Sequence, residues 1–211
     1  SDNMANYEYI VASLPDITTG WKFGEKDPED YIEEILSLCS DKDRELVGFF
    51  LDGYQDENLG IEFYAKALTH DDTFIRKFFL FDLNVRNAKV KYLNKALGRP
   101  AGKDVLSFPE ETDQKVLDAV SEEFEEASDL DTVLNLGDIL SRERGIDDLY
   151  WDKIDEITLF DYLTFEKILA VAVKMMIIRR WIMLDEKTGR EMFKRLVDEV
   201  RGTFKGVEYN E

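Results

Sequence analysis

From Thr73 to Leu97 the chain carries an apolar pattern that a single long helix accounts for. Phe74, Phe78, Phe81, Val85, Ala88 and Tyr92 follow one another at steps of four and three, the spacing that places side chains on one helix face. Ile75, Phe79, Leu83, Val90, Leu93 and Leu97 widen that face, leaving a narrow polar stripe at Asn84, Asn87, Lys91 and Asn94. Asp71 or Asp72 offers an N-cap, and Gly98 lies just beyond the other end. At ~1.5 Å per residue the helix spans nearly 40 Å. Each buried Phe or Leu contributes ~1.5–3 kcal/mol only if other helices cover it, so the rest of the chain must supply that cover.

Helix signals surround this element. Asp27-Pro28 gives a cap with proline at the first helical position, and Glu29 and Asp30 suit its positive end. Tyr31, Ile32, Ile35, Leu36 and Leu38 recur at helical spacing, and Ser40 and Asp41 close that helix and open the next. Leu46, Val47, Phe49, Phe50 and Leu51 form a second helix that Gly53 is expected to end, and Ile61–Leu68 forms a third. Gly98, Pro100, Gly102 and Pro109 mark an internal boundary. Beyond it, Glu111–Ala127 and Asp131–Arg144 read as acidic amphipathic helices, with Gly145 breaking the chain. Leu149–Phe160 is a further helical segment or an irregular turn, Tyr162–Leu184 a second long helix, and Thr188 opens a last one through Met192, Phe193, Leu196, Val197 and Val200. Tyr7–Leu14 fits either period and is assigned to helix. The expected fold is all-α, an irregular array with two long central helices and short acidic flanking helices. Ser1 to Asn3 read as a remnant of expression ahead of Met4. Residues 4–98 make an N-terminal unit, 99–110 a linker, and 111–211 a second unit packed on the first.

Charge narrows the function classes. The formal net charge is −19, and it is unevenly spread. Asp104–Glu166 holds twenty acidic and four basic residues, whereas Arg76–Lys103 holds eight basic and one acidic. Such a chain repels the phosphates of nucleic acid, and its alternating charge suits either paired helix faces or a polarised docking surface. The most apolar stretch, Ile168–Leu184, is short for a membrane span and carries Lys174, Arg179 and Arg180, so it reads as a buried core helix. The single cysteine, Cys39, excludes an intrachain disulfide and suits a reducing compartment.

The residues offer no catalytic or metal-binding set. His70 is the lone histidine, which leaves a Cys/His zinc site without its members; as the base of a Ser–His triad it is poorly placed, because it sits where one helix ends and the next is capped. There is no Glu-x-x-His pair, calcium loop or phosphate-binding glycine loop. Glu122-Glu123 and Glu125-Glu126 lie in a highly charged helix where water keeps them ionised. Arg179 and Arg180 are expected to reach surface carboxylates. No cofactor is implied, and the chain reads as a non-enzyme.

Two short stretches and the helix layout carry a family resemblance. Asn6-Tyr7-Glu8-Tyr9-Ile10-Val11-Ala12-Ser13-Leu14-Pro15 resembles the start of small bacterial proteins encoded among the components of V-type ATP synthases. Phe81-Asp82-Leu83-Asn84-Val85-Arg86-Asn87 is similar to the Asp/Asn pattern in long helices of the d-type protein of archaeal and vacuolar-type ATPases, the all-helical socket between central stalk and membrane ring. Short helices feeding long ones fit the repeated helical units of that socket protein, although 211 residues are few for three full repeats. The resemblance implies a non-catalytic component that couples stalk to rotor ring during proton or sodium transport. It also implies stalk and ring proteins as partners and a cytoplasmic place at the inner face of the cell membrane. Tyr7, Tyr9, Asp82, Asn84, Arg86 and Asn87 are the partner-binding candidates it carries over. Asp82, Asn84, Arg86 and Asn87 could instead form a polar network fastening the central helix to its neighbours, with Asp82 and Arg86 pairing along the helix, and Tyr7 and Tyr9 read as core or interface anchors. The rival reading is a free-standing acidic adaptor that binds a basic protein or peptide through Asp104–Glu166. A nucleic-acid mimic and an enzyme of unknown type stand behind it.

Overall fold

The computed structural model describes residues 10–12, 14, 28–159 and 165–205. The fold is all-α, with no strand among the described residues. The helices are α1 (Pro28–Ser37), α2 (Asp41–Gln55), α3 (Ile61–Leu68), α4 (Thr73–Ala96), α5 (Gln114–Val120), α6 (Ala127–Leu134), α7 (Ile139–Ile157) and α8 (Phe165–Lys205). Residues 10–12 are helical too, in line with the helix assignment of Tyr7–Leu14, whose residues 7–9 and 13 lie outside the described residues.

Local chemistry sets the helix ends. Ser40 caps α2 by accepting the N–H of Asp43 on Oγ. Asp72 caps α4 by accepting the N–H of Ile75 at 2.9 Å, and Asp138 caps α7 by accepting that of Ser141 at 2.8 Å. At the far end of α4, Gly98 takes φ 65°, its N–H donates to the Lys95 carbonyl, and the N–H of Arg99 donates to Asn94 O at 2.8 Å. This six-to-one and five-to-two pairing closes a helix on a left-handed residue, a conformation glycine adopts without steric cost.

Two long helices organise the core. α4 buries Phe74, Ile75, Phe78, Phe79, Phe81, Leu83 and Val85 against α3, α6 and α7. α8 packs on α1, α2 and α7, and every residue from Ile168 to Ile178 is buried; apart from Lys174 the stretch is apolar on all sides, and such a helix belongs inside. α7 touches both long helices. Phe50, Phe78, Phe79, Phe81 and Tyr150 interlock between them with ring centroids 4.7–5.8 Å apart, within the range favoured by tilted and edge-to-face aromatic pairs.

Three expected breaks are absent. α2 runs through Gly53 to Gln55, where a Cβ would come within 2.4 Å of Phe63 Cζ and 2.9 Å of Phe79 Cζ. α7 runs through Gly145, where a Cβ would lie 2.6 Å from Val133 Cγ1 of α6. Both glycines serve close helix packing rather than termination, at a propensity cost of ~1 kcal/mol each. The Leu149–Phe160 segment up to Ile157 is therefore the second half of α7. α8 is continuous over 41 residues, because neither Thr188 nor Gly189 removes a backbone donor as proline would. The acidic region is reapportioned as well: α5 ends at Val120 and α6 starts only at Ala127, and α7 starts at Ile139.

Residues 98–109 fold back along α4. Asn94 Nδ2 donates to the carbonyls of Ala101 (3.2 Å) and Lys103 (2.8 Å). Asn87 exchanges two bonds with the backbone of Leu106, each 2.9 Å.

Candidate functional site

A cleft of about 1050 Å³ opens between α2, α4, α7, α8 and the 104–106 segment, at or above the usual size of a ligand pocket. Its floor carries two buried aspartates. Asp82 of α4 is 3% exposed and Asp147 of α7 is 1% exposed, so each charge must be met by internal donors.

Asp82 is held from three helices. Tyr64 of α3 donates to Oδ2 at 2.6 Å and Tyr150 of α7 donates to Oδ1 at 2.6 Å. Arg86, one turn along α4, donates its Nε to Oδ2 at 2.9 Å and its Nη2 to the carbonyl of Asp56 at 2.7 Å. Burial first, then the Asp82 charge, drives the hydroxyls of Tyr64 and Tyr150 well above the ordinary phenol range, so both remain donors. Burial opposes the charge on Arg86, but Asp82 beside it prevails and raises its pKa.

Asp147 ties α7 to α8. Arg180 donates to Oδ1 at 2.8 Å and Trp181 Nε1 donates to Oδ2 at 2.7 Å. The same guanidinium also donates to Glu143. Burial pushes the Asp147 carboxyl up to about 6, against the pull of Arg180 and the Trp181 N–H. Nearby, Lys174 pairs with Asp155 at 2.5 Å and lies 4.8 Å from the Trp151 ring centroid. Arg179 reaches Glu29 of α1 at 2.8 Å. Arg179 and Arg180 thus find carboxylates, on neighbouring helices.

The cleft collects Asp82, Arg86 and Asn87 from the residues singled out by sequence; Asn84 is half-buried on the same helix and does not line it. Tyr7 and Tyr9 lie outside the described residues. Sequence reasoning missed Tyr54, Tyr64, Tyr150 and Asp147. The available signal was Asp147 between Ile146 and Tyr150 on the apolar face that Ile146, Tyr150, Trp151 and Ile154 define, a charge where the helical register calls for an apolar residue.

His70 lines a second cavity, about 540 Å³. Its Nδ1 accepts the N–H of Asp72 at 2.9 Å, its ring stacks on Phe49 at 5.7 Å, and burial lowers its pKa; the neutral imidazole therefore serves as a turn acceptor. Among the described residues, no cluster of three or more His, Cys, Asp or Glu side chains is arranged to hold a metal ion, and no helix is long and apolar enough to cross a membrane.

No curated protein and no solved structure matches the chain. The family model described as a protein of unknown function, DUF2764, matches residues 28–203, a span that takes in α1 to α7 and all but the last two residues of α8, and the chain belongs to that family.

Proposed function

We propose that the protein is a non-catalytic component of a V-type ATP synthase, similar to its d-type socket protein. It would couple the central stalk to the membrane rotor ring from the cytoplasmic side of the cell membrane. The observation that carries this reading is the build of α8. Its first half is the centre of the core, whereas beyond Trp181 none of the described side chains is buried: Ile182 and Met183 are exposed, as are Lys187, Glu191, Lys194 and Asp198, with Leu184 and Val197 half-buried. From Ile182 to Lys205 at ~1.5 Å per residue, roughly 36 Å of one stiff rod extends from the buried segment. A rod anchored in a packed core transmits displacement to whatever it touches, and exposed Ile182 and Met183 give it apolar contact points. The buried carboxylates of the cleft already hold internal donors, which suits a rigid connector better than a reaction centre.

The test is affinity purification of the tagged chain from detergent-solubilised native membranes, followed by mass spectrometry. Stalk and ring proteins should co-purify through moderate salt, and Met183→Asp should deplete them while leaving the melting temperature unchanged. Recovery of the wild-type chain without any V-type ATP synthase protein would overturn the proposal.

The acidic adaptor keeps one specific support. Glu110, Glu111, Asp113, Glu122, Glu123, Glu125, Asp129 and Asp131 are all exposed, and of the acids from Glu110 to Asp131 only Glu126 forms an ion pair among the described residues, with Lys153 at 2.9 Å. A basic partner captured in that experiment and released as salt shortens the Debye length below ~8 Å would favour it.

A further inference from the structure

The carboxylates on the floor of the cleft are met by donors, and several donors beside them are not met by acceptors. On its floor the acceptors are occupied: Asp82 receives Tyr64, Tyr150 and Arg86, Asp147 receives Arg180 and Trp181, and Glu143 receives Arg180. The donors are not. Tyr54, half-buried and packed on Phe78 and Tyr150, has no hydrogen-bond partner for its hydroxyl among the described residues, Arg86 keeps its Nη1 unused, and Lys89 forms no ion pair there. Val85, Leu106, Ile146 and Met176 supply apolar wall beside them. These donors are open to water, and an anion bound among them beside the apolar wall exchanges water for charge-assisted hydrogen bonds.

We infer that the cleft binds a small organic anion, its carboxylate or phosphate accepting from Tyr54, Arg86 and Lys89 and its apolar body lying against Val85, Leu106, Ile146 and Met176. Burial, reinforced by the charges of Asp147 and Asp82, keeps the Tyr54 hydroxyl protonated and therefore a donor. Glu57 and Asp104, exposed on the lining, oppose a polyanion, so the ligand carries one anionic group. Met183 of α8 lines the cleft as well, so the cleft is tested through Tyr54 and Lys89, on α2 and α4, which have no part in the docking role proposed for α8.

The test is calorimetric titration of the full chain with octanoate, octyl phosphate and octanol. Either anion should bind at one site, about tenfold more tightly than octanol, the ratio that one charge-assisted bond supports. The tighter of the two anions identifies the head group. Tyr54→Phe and Lys89→Gln should each weaken the anion about tenfold with the melting temperature unchanged. The inference is overturned if neither anion binds at millimolar concentration, if octanol binds as tightly, or if both variants bind like wild type.

Discussion

Asp82 and Asp147 are the same device built to different strengths. Both are carboxylates on a helix floor, each opposite an arginine. Asp82 draws its donors from α3, α4 and α7, two of them buried phenols and one a guanidinium from its own helix. Asp147 has two donors, both from α8, and shares its arginine with Glu143. The difference teaches where the fold is held rigidly and where it can give: the α3–α4–α7 junction closes on one carboxylate, while the α7–α8 junction divides one guanidinium between two.

Removing each carboxylate should expose that difference. Asp82→Ala leaves Arg86 without its buried counter-charge and two phenols without acceptors, and breaking such a set costs ~3–5 kcal/mol. Asp147→Ala leaves Arg180 on Glu143 and orphans mainly the Trp181 N–H, for ~1–3 kcal/mol. Urea denaturation of the two variants measures both. Equal losses, or a larger one at Asp147, would show that the donor count does not rank the two junctions.

A pH series sharpens the same contrast. The Asp147 carboxyl titrates at about 6 in the folded chain against an ordinary 3.8, so the folded state holds its proton more tightly than the unfolded chain. Stability from this group is then fully present below pH ~4, declines as pH rises, and is lost above pH ~6. At 1.36 kcal/mol per unit the change is on the order of 3 kcal/mol. Asp72 is also pushed up to about 6, by burial first, with the Ile75 N–H opposing and the adjacent Glu166 carboxylate adding, so it contributes to the same window. Asp147→Asn removes only its own share: relative to wild type, the variant should gain stability between pH 4 and pH 7. A wild-type-minus-variant difference that is flat with pH, or that rises with it, contradicts the assignment.

What could be read from the sequence follows sequence distance. Asp82 and Arg86 lie one turn apart on the helix with the strongest periodicity, and the pairing expected along that helix is present at 2.9 Å. The all-α fold and the bounds of α4 were legible for the same local reason, through Asp72 and Gly98 at its ends. Tyr64 and Tyr150 reach Asp82 from 18 and 68 residues away, and no spacing rule links them to it. Asp147 and its partners Arg180 and Trp181 are separated by 33 and 34 residues. The continuity of α8 was missed because Thr188 and Gly189 lower helix propensity by an amount that a long, otherwise favourable helix absorbs.

Glycine gives the smallest and sharpest test of that lesson. Read along the chain, Gly53 and Gly145 look like helix ends, and Gly48 carries no signal at all. In the fold all three are interior to helices, and what separates them is their surroundings. A Cβ at Gly48 meets nothing within 4 Å, whereas one at Gly145 meets Val133 Cγ1 at 2.6 Å. Replacing glycine by alanine in a helix interior gains up to ~1 kcal/mol where there is room, and overpacking costs ~1–3 kcal/mol where there is none. Gly48→Ala should therefore raise the melting temperature and Gly145→Ala should lower it. Adding Val133→Ala to the latter should recover part of the loss, because it removes the methyl groups that the new Cβ meets. If Gly145→Ala stabilises instead, α6 and α7 do not approach as closely as the fold requires, and Gly145 is the helix-weakening residue that its sequence suggested.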